Sequence, residues 1–443
     1  MFLATLMLIA LLQPMQDERF EAALAEMQEG RYAVAADQLD KLLADDPKSA
    51  TAHELRGHCR HQLGQLELAI ADFDAALVLD AKRPGSHCAR GMVLRLQGEL
   101  LEAAQSYGRA IRLEPKFLEA LNWRGLTFVE LGQTTHAIED FTTSLGVEPN
   151  DPWVRMRRAE AYIVQRQFME AGVDLIKAHE LAPDDWTVSA RLGTLLAVGG
   201  NPRGLELLQE AQKKAYVDDG LALWVWLARR EAGHPARVVD GDLSAWTMFS
   251  SDRSWSLSVG SYLTGRLSAE DLPASVIDAE QSRAKQSLSA GALDCRVAFF
   301  RGAGHQLNGR VQSAIDDYLS CLATFSPELE WEGARLRLRS LARSHKISPV
   351  PGFKTAKTAP EFCASQGLDP KTSRTVSELD PVGLAVRSGL QRGDVLLKLD
   401  SAPLTVDNLG ADLSSKVPGD YLMLTVLRGA ERVNVTVLLG LAR

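Results

Sequence analysis

A repeat of 34 residues in the first half of the chain restricts its fold more than any other feature. Alanine returns at this spacing at Ala35, Ala69, Ala103, Ala137 and Ala171. Glycine does so in two further series, at Gly57, Gly91 and Gly125 and at Gly30, Gly64, Gly98 and Gly132. Aromatic residues stand four positions after three of the alanines, at Phe73, Tyr107 and Phe141. A period of this length is typical of stacked helix–turn–helix units.

Each series predicts a packing role. Glycines such as Gly57 lie inside a first helix and let it approach the second helix closely. Glycines such as Gly64 end the first helix and permit the turn, because glycine tolerates positive φ. The alanines and aromatic residues pack the second helix, and proline closes it at Pro47, Pro115, Pro149 and Pro183. We therefore predict six helix pairs over residues 17–216.

Two segments resemble one repeat family closely. Arg56 to Gly64 followed by Ala69 to Leu77, and Arg124 to Pro149, resemble tetratricopeptide (TPR) repeats. The resemblance implies an α-solenoid, a right-handed superhelix whose concave face binds an extended peptide or a partner helix. The groove-lining candidates on the first helices of repeats two to four are His58, His61, Met92, Arg95 and Asn122.

The repeat pattern weakens beyond the sixth pair. We predict a divergent TPR-like helical region over 217–345, with one further repeat near 295–328, where Gly302, Gly309, Ala314 and Tyr318 keep the spacing. Its last helix is predicted from Glu328 to Arg343, with a solvent-facing basic side formed by Arg335, Arg339, Arg343 and Lys346. Residues 255–309 also resemble part of bacterial TPR lipoproteins, some of which are adaptors for periplasmic proteases.

Composition changes again near the C-terminus. Residues 346–365 are rich in Pro and Thr and are predicted to be a linker. Residues 366–443 are predicted to form a small, mostly β domain. Val395 to Leu399 has the pattern of a buried strand, and the strands beginning at Tyr421 and Val433 alternate around a turn at Gly429, as in a hairpin.

This C-terminal region resembles a peptide-binding domain. Ala385 to Leu396, with its Gly-Leu and Gly-Asp steps, resembles the PDZ domains of bacterial HtrA-type and tail-specific proteases. The resemblance implies that a peptide adds as a strand and that backbone N–H groups hold its carboxylate. The groove candidates are Gly352, Phe353, Asn408, Leu409, Asp412 and Leu413. Leu409 and Leu413 as core residues, and a PDZ fold that serves only as a docking block, are the alternatives.

The N-terminus and the cysteines bear on the compartment. Residues 2–12 are apolar and suit a signal-peptide core, so residues 1–16 are predicted to be a signal peptide or a membrane tether of an exported, periplasmic protein. Translation from Met7 or Met15 would instead give a cytoplasmic protein. Cys59 with Cys88, and Cys295 with Cys321, are possible disulfides, although we favour five buried thiols.

Charge and motifs narrow the function. The net charge is −8, and Lys and Arg form no long run, so no nucleic-acid partner is expected. The sequence holds no Gly-x-Ser-x-Gly, His-Glu-x-x-His, P-loop or Gly-x-Gly-x-x-Gly motif, so we expect no enzyme, cofactor, metal or small-molecule substrate. Proteins or peptides remain as partners. We expect a scaffold or adaptor; the alternative is an accessory subunit that presents substrates to an envelope protease or cell-wall enzyme.

Overall fold

The computed structural model describes most of the helical part and portions of the C-terminal region. The helical part is described over residues 18–214, 220–249, 255–273, 290–324 and 329–345. The C-terminal region is described mainly over 353–366, 374–379, 390–399, 420–429 and 431–439. The predicted signal segment 1–16 lies outside the described residues. The chain divides into two compact units, residues 1–182 and 183–443.

The first unit consists of helix pairs joined by short turns. Its helices are α1 Glu18–Gln28, α2 Tyr32–Asp45, α3 Ala50–Gln62, α4 Leu66–Leu79, α5 Pro84–Leu96, α6 Leu100–Leu113, α7 Leu118–Glu130, α8 Thr134–Val147, α9 Pro152–Val164 and α10 Phe168–Leu181. The turn glycines adopt positive φ as predicted, with values of +74° at Gly30 and +72° at Gly132. Arg166 takes this slot in the fifth pair at φ 61°, a conformation that costs a non-glycine residue about 1–2 kcal/mol.

A buried ring lies on the small residue of each first helix in repeats two to four. A Cβ atom added to Gly57, Gly91 or Gly125 would lie 2.9, 2.8 or 2.7 Å from the ring of Phe73, Tyr107 or Phe141, respectively. Real Cβ atoms do not approach ring atoms this closely, so glycine is required. The predicted close approach of the two helices therefore depends on an aromatic ring of the same helix pair. The alanines of the second helices, Ala69, Ala103 and Ala137, are fully buried.

The described part of the second unit begins with helices that continue the array. They are α11 Trp186–Val198, α12 Arg203–Lys214, α13 Leu221–Glu231, α14 Ala236–Phe249, α15 Trp255–Leu263, α16 Ala290–Leu307, α17 Val311–Leu322 and α18 Leu329–Ser344. The pair α16 and α17 repeats the earlier contact, since a Cβ on Gly302 would lie 2.9 Å from Tyr318.

Helix α13 is buried along most of its length. Every residue from Leu221 to Ala228 is buried, as expected for a helix that is apolar on all sides. Two polar groups on α18 bond to α13, one in its first half and one at its last residue. The indole N–H of Trp224 donates to Glu330 at 3.2 Å, and Arg337 donates to Glu231 at 2.7 Å. The first and last helices of this region, α11 and α18, also contact each other. The helices of the second unit therefore pack around α13.

The C-terminal region forms an antiparallel sheet. Its strands are β1 Phe353–Lys357, β2 Arg374–Leu379, β3 Val395–Leu399, β4 Ala402–Pro403, β5 Tyr421–Arg428 and β6 Glu431–Leu438. The spatial order is β1-β2-β3-β5-β6, with β4 paired to β3, so β1 and β6 lie at the edges. The predicted hairpin is present, with Val426 opposite Val433 and Gly429 at φ +63°. Leu422, Leu424 and Val426 point into the core because they alternate along β5.

The predicted linker over 346–365 is wrong for the part that the structure describes. Residues 353–357 form strand β1, which pairs with β2 so that Phe353 lies opposite Leu379. Helix α19, Pro360–Gln366, follows. The Pro- and Thr-rich composition concealed this strand, because its hydrogen bonds go to a distant part of the sequence. The sheet therefore begins at Phe353, before the predicted boundary at residue 366.

Two residues of the predicted basic side of α18, Arg335 and Arg339, contact the sheet and do not face solvent. Arg343 is exposed as predicted, and Lys346 lies outside the described residues. The ring of Trp331 stacks on Tyr421 at a centroid distance of 6.4 Å. The guanidinium of Arg335 lies 4.8 Å above the same tyrosine ring, and Arg339 pairs with Asp420. Stacking and a partly buried ion pair thus join α18 to the start of β5. The sheet belongs to the same compact unit as α18.

Two glycine substitutions test the ring contact. We expect Gly125→Ala to lower the free energy of unfolding by about 1–3 kcal/mol, because the new Cβ displaces Phe141. Gly146→Ala in α8 is the matched control, since its Cβ would meet open space. It should instead add up to ~1 kcal/mol from helix propensity. Denaturant midpoints measure both, and equal midpoints for the two variants would contradict the assignment.

Candidate protein-binding surfaces

Buried arginine–carboxylate pairs join the two helices of most repeats. Each arginine lies one position before the small residue of the first helix and bonds to a residue 16 positions later. The pairs are Arg56–Asp72, Arg124–Asp140, Arg158–Asp174 and Arg301–Asp317. In the Arg158–Asp174 pair, both guanidinium contacts are short, at 2.7 and 2.8 Å. Such two-point contacts fix orientation as well as distance.

Sequence reasoning missed these pairs, although the signal was present. Arg56, Arg90, Arg124 and Arg158 follow one another at 34 residues. Repeat three departs from the pattern because Ser106 stands where repeats two, four and five have aspartate. Arg90 donates to the Ser106 hydroxyl at 2.8 Å and to the exposed carboxylate of Asp74 at 2.6 Å.

The predicted groove residues have different surroundings. The His58 ring packs edge-on against Phe73, 5.1 Å between centroids, and its Nε2 atom is buried. Burial lowers the pKa of His58 to about 3, and the nearby His61 contributes to this shift. Burial also lowers the pKa of His61. The predicted groove residue His58 is therefore only partly exposed, because its ring packs against Phe73.

The groove candidates of repeats three and four lie around Trp123. The Arg95 guanidinium stands 5.3 Å above the Trp123 ring and donates to Glu130 at 3.2 Å. Met92 and Trp123 pack, partly buried, on one core cluster. Trp123 and Glu130 were missed by sequence reasoning, although Trp123 adjoins Asn122. These neighbouring first helices therefore present an aromatic surface with one cation and one anion.

Asn122 has an unsatisfied acceptor. Its side-chain oxygen is buried and accepts no hydrogen bond from the residues that the structure describes. A buried acceptor of this kind costs about 1–3 kcal/mol unless a partner satisfies it. An incoming N–H group would remove that cost if it reached the atom.

The structure describes two of the six predicted PDZ-groove residues, Phe353 and Leu413. Gly352, Asn408, Leu409 and Asp412 lie outside the described residues. Phe353 begins the edge strand β1. Leu413 packs, partly buried, against the core of the sheet, which is the alternative role considered for it.

The Gly-Asp step of the predicted domain is structural. Gly393 has φ +95°, and the Asp394 carboxylate accepts from the Gln391 N–H at 2.9 Å. Arg428 donates to both oxygens of Asp394, at 2.8 and 2.7 Å. These bonds tie the turn before β3 to the end of β5 and thereby shape the domain.

The described part of the chain also bears on disulfides, metal sites and membrane spans. The five cysteines are buried, as favoured, and the structure has each as a free thiol. Within the described residues, no group of three or more His, Cys, Asp or Glu side chains is arranged to hold a metal ion. None of the described helices combines the length and the apolar character needed to cross a bilayer.

Comparison with protein families identifies the repeats. Tetratricopeptide-repeat models match residues 20–86 and 118–151, and a TPR-repeat model matches residues 91–132. The chain therefore contains TPR repeats, and it joins this helical array to a small C-terminal sheet. Such repeats generally mediate protein–protein interactions.

Individual known proteins match more distantly. The chain is 42% identical over 83 residues to a probable periplasmic serine endoprotease, DegP-like, from Halomonas elongata; this covers 18% of this chain and 17% of that relative. It is similar in fold to Pseudomonas aeruginosa PilF, with 22% identity, coverage of 46% of this chain and 92% of that one, and TM-score 0.41. A TPR protein from Parabacteroides merdae has 18% identity, coverage of 56% and 98%, and TM-score 0.43.

Acidification should destabilise the folded chain through His58. Its folded pKa of about 3 lies below the ordinary value of 6.5, so the unfolded chain binds the proton more tightly. Stability is therefore complete above pH 6.5 and falls as the pH decreases towards 3. We expect His58→Gln to remove ~2 kcal/mol of the loss between pH 7 and pH 5, measured by urea unfolding.

The matched control is His234→Gln, because His234 is exposed. It should leave the difference between pH 7 and pH 5 as in the natural sequence. The same pH dependence in His58→Gln and in the natural sequence would show that the His58 imidazole is not held neutral by burial.

Proposed function

We propose that this protein is a non-enzymatic adaptor. One partner binds along the first helices of the TPR repeats, and a peptide of a second partner binds to the C-terminal sheet. The TPR part of the proposal is supported by the surface at Arg95, Met92 and Trp123, where an aromatic ring, a thioether and a cation adjoin. Such groups are common at protein-binding surfaces.

We propose further that the sheet is a PDZ domain that captures peptides by strand addition. The observation that carries this proposal is the position of β1 at the edge of the sheet. Its first residue, Phe353, is one of the groove candidates that the PDZ resemblance gives. An edge strand offers unpaired backbone groups to an incoming strand.

The compartment and the alternative role form one further proposal. The apolar segment 2–12 supports an exported protein, periplasmic or tethered to a membrane. The match to a relative named as a periplasmic serine endoprotease supports the alternative of an accessory subunit that presents substrates to an envelope protease. Purification of crosslinked complexes from the envelope distinguishes a general adaptor from an accessory subunit, because only the accessory subunit requires a protease partner.

Peptide titrations onto the full chain test the sheet site. The ligands are short labelled peptides with an apolar C-terminal residue, with either a free or an amidated C-terminus. We expect amidation to weaken binding at least tenfold, because a neutral amide cannot replace the carboxylate at the backbone N–H groups. Fluorescence anisotropy measures both.

A third peptide controls for the binding mode. Its C-terminus is free, but alternate backbone nitrogens are methylated, so it lacks the N–H groups that an added strand donates. It should bind no better than the amidated peptide. Equal binding by all three peptides, or by none, would contradict strand addition and favour a docking block.

A further inference from the structure

A cavity of about 510 Å³ opens between the second helices of repeats two and three. Helices α4 and α6 form its sides, and α5 contributes residues from its N-terminal half. The proposed TPR groove uses other residues, on the first helices. The cavity is therefore separate from the two surfaces proposed above.

The cavity has an excess of positive charge. Arg90, Arg109 and Arg112 line it, with Asp74 as the one lining carboxylate. Asp74 accepts from Arg90 at 2.6 Å. Arg109 and Arg112 are exposed and form no ion pair or hydrogen bond with any residue that the structure describes. Two guanidinium charges are thus left without a carboxylate.

The departure of repeat three from the buried pairs contributes to this excess. In repeats two, four and five the corresponding arginine reaches a buried aspartate. Here the residue 16 positions later is the neutral Ser106, so Asp74 is the one carboxylate that Arg90 contacts among the described residues. Consequently Asp74 is no longer available to Arg109 or Arg112.

The pKa of a buried histidine depends on the charges in this cavity. His87 lines the cavity with 7% of its surface exposed, and its Nε2 atom lies 3.2 Å from the Ala81 carbonyl oxygen. Burial lowers the pKa of His87, and the charges of Arg109, Arg90 and Arg112 lower it further. An anion bound near these arginines would raise it.

The remaining wall is apolar and open to solvent. Val78 is 86% exposed, the highest value among the large apolar side chains that the structure describes, and Leu113 is 42% exposed. Leu77 completes this wall. Exposed apolar side chains beside unpaired cations suit a ligand that combines an apolar group with a carboxylate.

We propose that this cavity binds an acidic peptide segment of a partner protein. Arg109 and Arg112 contact its carboxylates, and Val78 and Leu113 contact an apolar side chain next to them. Charge complementarity selects the occupant, because the chain as a whole is acidic, at −8, whereas this cavity is cationic. A peptide can contact both the charged wall and the apolar wall, whereas a free inorganic anion can contact only the charged wall.

Binding of a labelled peptide of alternating Leu and Glu to the full chain tests the proposal. We expect it to bind, and to bind at least tenfold more tightly than the Leu–Gln peptide of the same length. Arg109→Glu with Arg112→Glu should abolish this preference. The charge-matched control is Lys41→Glu with Lys48→Glu, since both lysines are exposed on repeat one and the turn that follows it; it should keep most of the affinity.

Further measurements separate the walls and the possible anions. Val78→Ser should weaken the peptide severalfold without unfolding the chain, because Val78 is mostly exposed. Peptide binding should raise the pKa of His87 in an NMR titration. Equal affinity for the Glu and Gln peptides would overturn the proposal. So would an unchanged affinity in the double arginine variant, or tight binding of inorganic phosphate or anionic vesicles with none of the peptide.

Discussion

The repeats depend on how closely two helices can approach across a buried aromatic ring. In repeats two to four the ring of a second helix lies where a Cβ atom of the first helix would be, at less than 3 Å. Glycine is therefore a steric requirement and not only a source of flexibility. In repeats two and four the arginine one position earlier bonds to a buried aspartate of the second helix. Repeat five forms the same pair, Arg158–Asp174, with Ala159 in place of the glycine.

The second unit uses a different constraint. Helix α13 is apolar on every side, so it is stable only when other helices surround it. Trp224 in its first half and Glu231 at its end bond to α18. The same α18 holds the C-terminal sheet through Tyr421 and Asp420. One helix thus connects the core of the helical region to the proposed peptide-binding domain.

Local periodicity explains what the sequence could predict. The turns at Gly30 and Gly132, the close helix approach at Gly57 and Gly125, and the β5–β6 hairpin involve residues close in sequence or in phase with the repeat. Such features follow from spacing alone.

Contacts between distant residues explain most of what was missed. Strand β1 was hidden because it pairs with β2 across about twenty residues of unrelated pattern. The basic side of α18 looked solvated because Tyr421 lies far along the chain from Trp331. The burial of His58 could not be read from its spacing, since it depends on the position of the Phe73 ring. The arginine–aspartate pairs are different, because their spacing was visible and only its meaning was missed.

Hydrogen–deuterium exchange of a double variant tests most directly whether α18 holds the sheet. Asp420→Asn with Tyr421→Ser removes the ion pair to Arg339 and the ring between Trp331 and Arg335. Met423→Ser on the same strand is the matched control, because Met423 is exposed. We expect faster exchange in α18 and β5 and faster proteolysis between residues 346 and 352 in the double variant alone. Unchanged exchange and proteolysis in the double variant would contradict the claim that α18 holds the sheet through Asp420 and Tyr421.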